Sequence, residues 1–166
     1  GVNLNDQEQR NAEASDIAEY VRNYATKHES TFQIFMGDQK IKRRGNDQLV
    51  AQCVYLEASG NDTNPSNVPL NVMYDPDNAR GTVLAGYWDT AEKILDRVMG
   101  MIKDNKSQIK DNFTGSSWFI DLYNFLSYLS KNNIRIDDSK KLFVWFTNSA
   151  IDRLGSSKVL YTWVTR

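Results

Sequence analysis

"WFIDLYNFLSYLS" occupies residues 118–130, directly after the small residues Gly115-Ser116-Ser117. Its apolar residues fall on almost every side of a helical wheel. A helix that is hydrophobic all round is covered by other elements, so this one belongs in the middle of a helical bundle. Its neighbours agree. Upstream, Asp89 or Thr90 can cap a helix carrying Ala91, Ile94, Leu95, Val98, Met99 and Ile102 on one face. Downstream, Asp137 or Asp138 can start a helix through Leu142, Val144, Trp145 and Phe146, running on toward Ile151 and Leu154 and stopping at Gly155.

The first half of the chain repeats the pattern. Asn5 is a good N-cap, and Glu8 three residues later completes a capping-box pattern. A helix is expected from Asp6, with a break near Ser15, to Lys27; Ile17, Val21 and Tyr24 form its apolar stripe. A short helical piece is expected at 31–35, ending at Gly37. Asn46 or Asp47 can cap a further helix bearing Leu49, Val50, Cys53, Val54 and Leu56. Pro65, Pro69 and Pro76, all the prolines of the chain, fall between Asn64 and Asp77, so residues 59–87 read as an irregular segment. Strand-like alternation is almost absent. The expected fold is all-α: one irregular bundle of about five to seven helices over residues 1–166, loop-rich in its middle. The stretch 158–166, "KVLYTWVTR", reads as helix or strand.

Composition narrows the function. Twenty basic against 21 acidic residues give a net charge of −1, so nucleic acid would have to be bound by a local patch. No apolar run approaches a membrane span, and no signal peptide is visible. Cys53 is the only cysteine, which rules out an intrachain disulfide and suits a reducing cytoplasm. Asn61-Asp62-Thr63 and Asn112-Phe113-Thr114 match the glycosylation sequon by chance in that setting. The chain begins with Gly1, which suggests a piece of something longer.

No complete catalytic constellation is present. His28 is the only histidine and has no partners at zinc or triad spacing; near a helix C-terminus it is favourable for the dipole alone. Cys53 lies on an apolar face as an inert thiol. Asp137 and Asp138 are read as helix caps rather than metal ligands. Asp75, Asp77 and Asn78 lack the spacing and closing Glu of a calcium loop. Lys40, Lys42, Arg43 and Arg44 are the densest basic cluster: a phosphate or DNA contact, or more commonly a solvated face. The aromatics of 118–128 and 143–146 read as core rather than base-stacking platforms. No Gly-rich phosphate loop occurs. Nothing in these residues argues for an enzyme acting alone, and no cofactor or metal is expected in this chain.

One resemblance adds to this reading. Gly1, Leu4, Gln7, Glu8, Arg10, Asn11 and Ala12 resemble the end of a hinge motif in a bacterial and phage family. That family is the ParB-like domain of unknown function at the N-terminus of GmrSD-type modification-dependent restriction enzymes. Its hinge ends in Leu-x-x-Gln-Glu-x-Arg-Asn-Ala. Lys42-Arg43 followed by 46–52 is similar to a second family stretch, Lys-Arg-Met, a gap, then Glu-Leu-Val-x-Arg. Here Arg44 stands for the Met, and Gln48 and Gln52 for the Glu and Arg. The segment 117–129 resembles the family's aromatic helix. The family's nucleotide-binding Asp-Gly-Gln-Gln-Arg motif and its nuclease His-Asn-His motif are not in this sequence.

The resemblance implies a helical half of a larger restriction- or defence-like protein, whose other half binds nucleotide. It implies that Glu8, Arg10 and Asn11 sit at the junction, either completing the nucleotide site or locking the halves together. Two further readings stay open: a nucleic-acid-binding module using the Lys40–Arg44 patch, and a protein-interaction or structural helical domain without ligand. The sequence does not fix the oligomeric state.

Overall fold

A computed structural model describes residues 4–60, 65–113 and 115–152. Among these the chain is all-α, with no strand. In order the helices are α1 (Asp6–Arg10), α2 (Asp16–Lys27), α3 (Glu29–Phe32), α4 (Asp38–Lys42), α5 (Gly45–Ser59) and α6 (Asn67–Tyr74). They continue with α7 (Ala79–Ala85), α8 (Trp88–Asp104), α9 (Lys106–Asn112), α10 (Ser117–Lys131) and α11 (Ser139–Asp152). None is long and apolar enough to cross a membrane. The surplus over the expected number comes from the short helices α4 and α9, from α6 and α7 within 59–87, and from the break that separates α1 from α2. The expected end of α11 at Gly155 and the form of 158–166 lie outside the described residues.

The centre is built by α5, α8 and α10, which pack on one another, with α2 against α5. Leu122, Tyr123 and Leu126 of α10 are fully buried, as its all-round apolarity required. Leu95, Val98 and Ile102 of α8, which packs on α10, are fully buried as well. An aromatic seam runs along one side: Phe119 packs 5.7 Å from both Phe32 and Phe35. Phe113 lies 4.8 Å from Trp118. Burying each such ring contributes on the order of 2 kcal/mol relative to exposing it. Cys53 is fully buried, and burial pushes its thiol well above the ordinary range.

Two caps differ from expectation. α5 starts at Gly45 behind Arg44, so Asn46 and Asp47 are not caps; both are buried inside the first turn. α8 starts at Trp88 behind Tyr87 with no side-chain cap, so neither Asp89 nor Thr90 serves as one. In both cases tertiary packing fixes the helix start where a local signal points one or two residues later. Asp138 does cap α11: its carboxylate accepts the Lys141 N–H at 3.0 Å.

The segment 59–87 departs most from the reading. It holds α6 and α7, packed on each other and on α5. Pro69 sits in the first turn of α6, where a missing N–H costs nothing. Pro76 falls in the turn between the two helices. Asp75 accepts the Asp77 N–H, and Asn78 caps α7 through the N–H groups of Arg80 and Gly81. The Asp75–Asn78 cluster is therefore a turn and a cap. Among the described residues no group of His, Cys, Asp and Glu could hold a metal ion.

The junction of α4 and α5 is tight. A Cβ on Gly45 would meet the Lys40 carbonyl oxygen at 2.9 Å. Just before it, Arg44 adopts the left-handed conformation with φ 59°. A β-branched residue tolerates that region poorly. Arg44→Val is expected to lower stability by roughly 1–2 kcal/mol, and Arg44→Asn much less. Urea unfolding midpoints of the two variants check this.

Candidate functional site

The N-terminal segment forms the densest polar network of the described residues. Both arms of the Asn5–Glu8 capping box are present: the Asn5 side chain accepts the Glu8 N–H at 2.8 Å, and the Glu8 carboxylate accepts the Asn5 N–H at 2.7 Å. That box also reaches α4. Glu8 pairs with Arg43 at 3.0 Å, and the Asn5 amide donates to the Arg43 carbonyl. Half of the basic cluster is thereby engaged within the chain, since Arg44 lies 4.0 Å from Asp47. Lys40 and Lys42 are exposed on α4, on either side of the buried Ile41.

Behind the box, Gln7, Arg10 and Asn11 share one helical face at i, i+3 and i+4. All three point into the protein. Arg10 is only 3% exposed. Its Nε donates to Gln7 Oε1 at 3.0 Å and its Nη1 to Asn71 Oδ1 on α6 at 2.8 Å. The guanidinium also lies over the Tyr74 ring, 5.9 Å from the centroid. The Gln7 amide donates to Tyr74 Oη and to Asn11 Oδ1. Asn11 in turn donates to the Asp47 carboxylate on α5 and accepts, through its carbonyl, from Arg22 on α2. At the outer edge the Asn67 amide donates to Asp6. One five-residue helix is thus tied to α2, α4, α5 and α6.

The electrostatics follow from burial. Asp47 is fully buried, and desolvation raises its carboxyl above the ordinary value against the pull of Asn11, Arg44 and Arg22. Desolvation likewise lowers Arg10 and raises Tyr74. Arg10 Nη2 and Asp47 Oδ1 are buried without a hydrogen-bond partner in the protein.

The sequence singled out Glu8, Arg10, Asn11 and the Lys40–Arg44 cluster. The structure joins Glu8 to Arg43, and Asn11 to Asp47. Gln7, Asp47, Asn71 and Tyr74 are network members that sequence reasoning missed. The i, i+3, i+4 spacing of Gln7, Arg10 and Asn11 was an available signal; Asn71 and Tyr74, more than 60 residues away, offered none.

A second buried polar cluster lies between α5 and α10. Glu57 accepts from Tyr123 Oη at 3.0 Å and Ser127 Oγ at 2.7 Å, and pairs with Lys131 Nζ at 3.0 Å. Ser127 is fully buried, so this cluster fastens two helices rather than presenting a nucleophile. His28 is also buried, its ring tilted against that of Tyr24 with centroids 4.4 Å apart, with neither ring nitrogen hydrogen-bonded and Asp96 at 3.7 Å. Desolvation, then Lys103 and Lys27, hold it below its ordinary value of 6.5, against Asp96. The unfolded chain therefore takes up the proton first. His28's contribution to stability is complete above about pH 6.5 and is lost as pH falls below it. Urea midpoints measured from pH 7.5 to 5 should therefore shift in favour of His28→Leu over the unsubstituted chain as pH falls, whatever the net slope set by buried carboxylates such as Asp47.

No protein-family model matches the chain, and no curated protein and no solved structure matches it.

Proposed function

We propose that this chain is the helical half of a restriction- or defence-like protein related to the GmrSD family, and that segment 4–12 is its hinge. The partner half binds nucleotide and precedes Gly1. This half carries the hinge and holds it in one orientation. The observation behind this reading is the anchoring of the hinge-like residues. Gln7, Arg10 and Asn11 are turned inward onto α5 and α6, and Glu8 is held by Arg43.

Of the two roles for this segment, the geometry favours locking. Arg10 is almost wholly buried and already gives Nε to Gln7 and Nη1 to Asn71, so its guanidinium is held between α1 and α6. The DNA reading has less support, because Arg43 and Arg44 face carboxylates. DNA binding through Lys40–Arg44 would weaken steeply with salt.

The test is the coding sequence upstream of the Gly1 codon. The proposal expects the family's hinge to continue upstream, with Arg-Ile-Asn as its opening residues shortly before Gly1, and the nucleotide-binding Asp-Gly-Gln-Gln-Arg motif further back. An unrelated sequence, or a start codon at that point, overturns the proposal.

A further inference from the structure

Segment 4–12 is held to the bundle by polar bonds. Among the described residues the apolar core begins at Ile17 of α2. Leu4 and Ala12 are exposed, and the only buried residues of α1 are Gln7 and Arg10. Each polar bond made on docking replaces one to water, so its net contribution is small. Apolar burial, which drives the rest of the bundle, is missing from this segment.

Docking α1 also buries two charges that do not neutralise each other. No ion pair joins Arg10 to a carboxylate among the described residues; Tyr74 and Asp6 act on it electrostatically. Asp47 meets Arg44 only at 4.0 Å, with Arg22 of α2 acting on it as well. Both charges regain water when α1 lifts away, which favours the released form.

The bonds that hold the segment share their side chains. Gln7 donates to Tyr74 and Asn11 and accepts from Arg10. Arg10 goes on to Asn71, and Asn11 to Asp47. Asn5 and Glu8 both end on Arg43. Losing any one of Gln7, Arg10 and Asn11 therefore breaks at least two bonds. Exposed Ala12, Glu13 and Ala14 connect this unit to α2. A five-residue helix does not hold its form away from the protein, so release also melts α1.

We infer that α1 is a latch on α5 and α6: it docks and releases as one cooperative unit, with residues 12–14 as its pivot, while the core stays folded. This gives the junction two states, docked and released. Fraying, by contrast, would loosen it by degrees from the chain end inward. The inference deepens the locking role proposed for this segment. It rests on the bonds alone, so it stands or falls apart from the sequence upstream of Gly1.

Native-state hydrogen exchange on the full chain tests it. The Gln9, Asn11 and Ala12 amides bond to Asn5, Gln7 and Gln9, so each reports α1. Their protection factors should agree within about threefold, and lie roughly a hundredfold or more below those of Val54 in α5 and Val98 in α8. Arg10→Ala should lower all three together, by about tenfold or more. Protection that climbs steadily from Gln9 to Ala12 marks fraying and overturns the inference. So does protection equal to that of Val54 and Val98, which would make α1 inseparable from the core. An Arg10→Ala effect confined to one of the three amides overturns it as well.

Discussion

Gly81→Ala is expected to be the most damaging single-atom-scale change in the molecule. A Cβ at this position would stand 2.1 Å from the Val72 carbonyl oxygen and 3.0 Å from that of Asp75. Both obstacles are backbone, so no rotamer change relieves them. α7 would have to move off α6, and both helices lie on α5. Overpacking against fixed backbone belongs at the upper end of its range, so the loss should be roughly 3 kcal/mol or more. A urea titration of the variant followed by circular dichroism measures it. A loss under about 1 kcal/mol would mean that α6 and α7 cross less closely than described. Because α6 supplies Asn71 and Tyr74, the same variant should also loosen α1.

Arg10→Ala is expected to cost about 2–4 kcal/mol, because it leaves Gln7 Oε1 and Asn71 Oδ1 without their donor in a buried setting. Arg10→Lys should recover little. A lysine ammonium cannot reproduce the planar fork that reaches both oxygens and lies over Tyr74. Asn11→Ala should also be costly, since Asn11 is the side-chain donor to the fully buried Asp47 carboxyl, with Arg44 left 4.0 Å away. If instead Arg10→Ala leaves stability unchanged, the guanidinium is available to a ligand, and the nucleotide-completing role of the segment regains the advantage.

The parts of the fold that could be read from sequence are those whose signal is local. The Asn5–Glu8 pair announced its capping box, and both arms are present. The stripes of α2, α8 and α10 were visible because one side of each must meet the core at helical spacing. α6 and α7 were lost because three prolines and a run of Asn, Asp, Ser and Gly resemble a loop. In fact Pro69 falls where a helix accepts it. α5 was read with one apolar face, yet it is buried almost all round, including Asn46, Asp47 and Glu57. Polar residues at those positions look solvated until their partners are known, and the partners are distant in sequence: Asn11 for Asp47, and Tyr123 and Ser127 for Glu57. The candidate site was legible as a list of residues on α1. Which way they face depends on Asn71 and Tyr74, inside the segment that reads as irregular.

The central claim is that segment 4–12 is bolted into the helical body through Arg10. A double-mutant cycle on Arg10→Ala and Asn71→Ala, read from urea unfolding, addresses that bond directly. The account predicts a coupling of about 1 kcal/mol or more between the two sites. Additivity within about 0.3 kcal/mol would contradict it and leave Arg10 facing something other than α6.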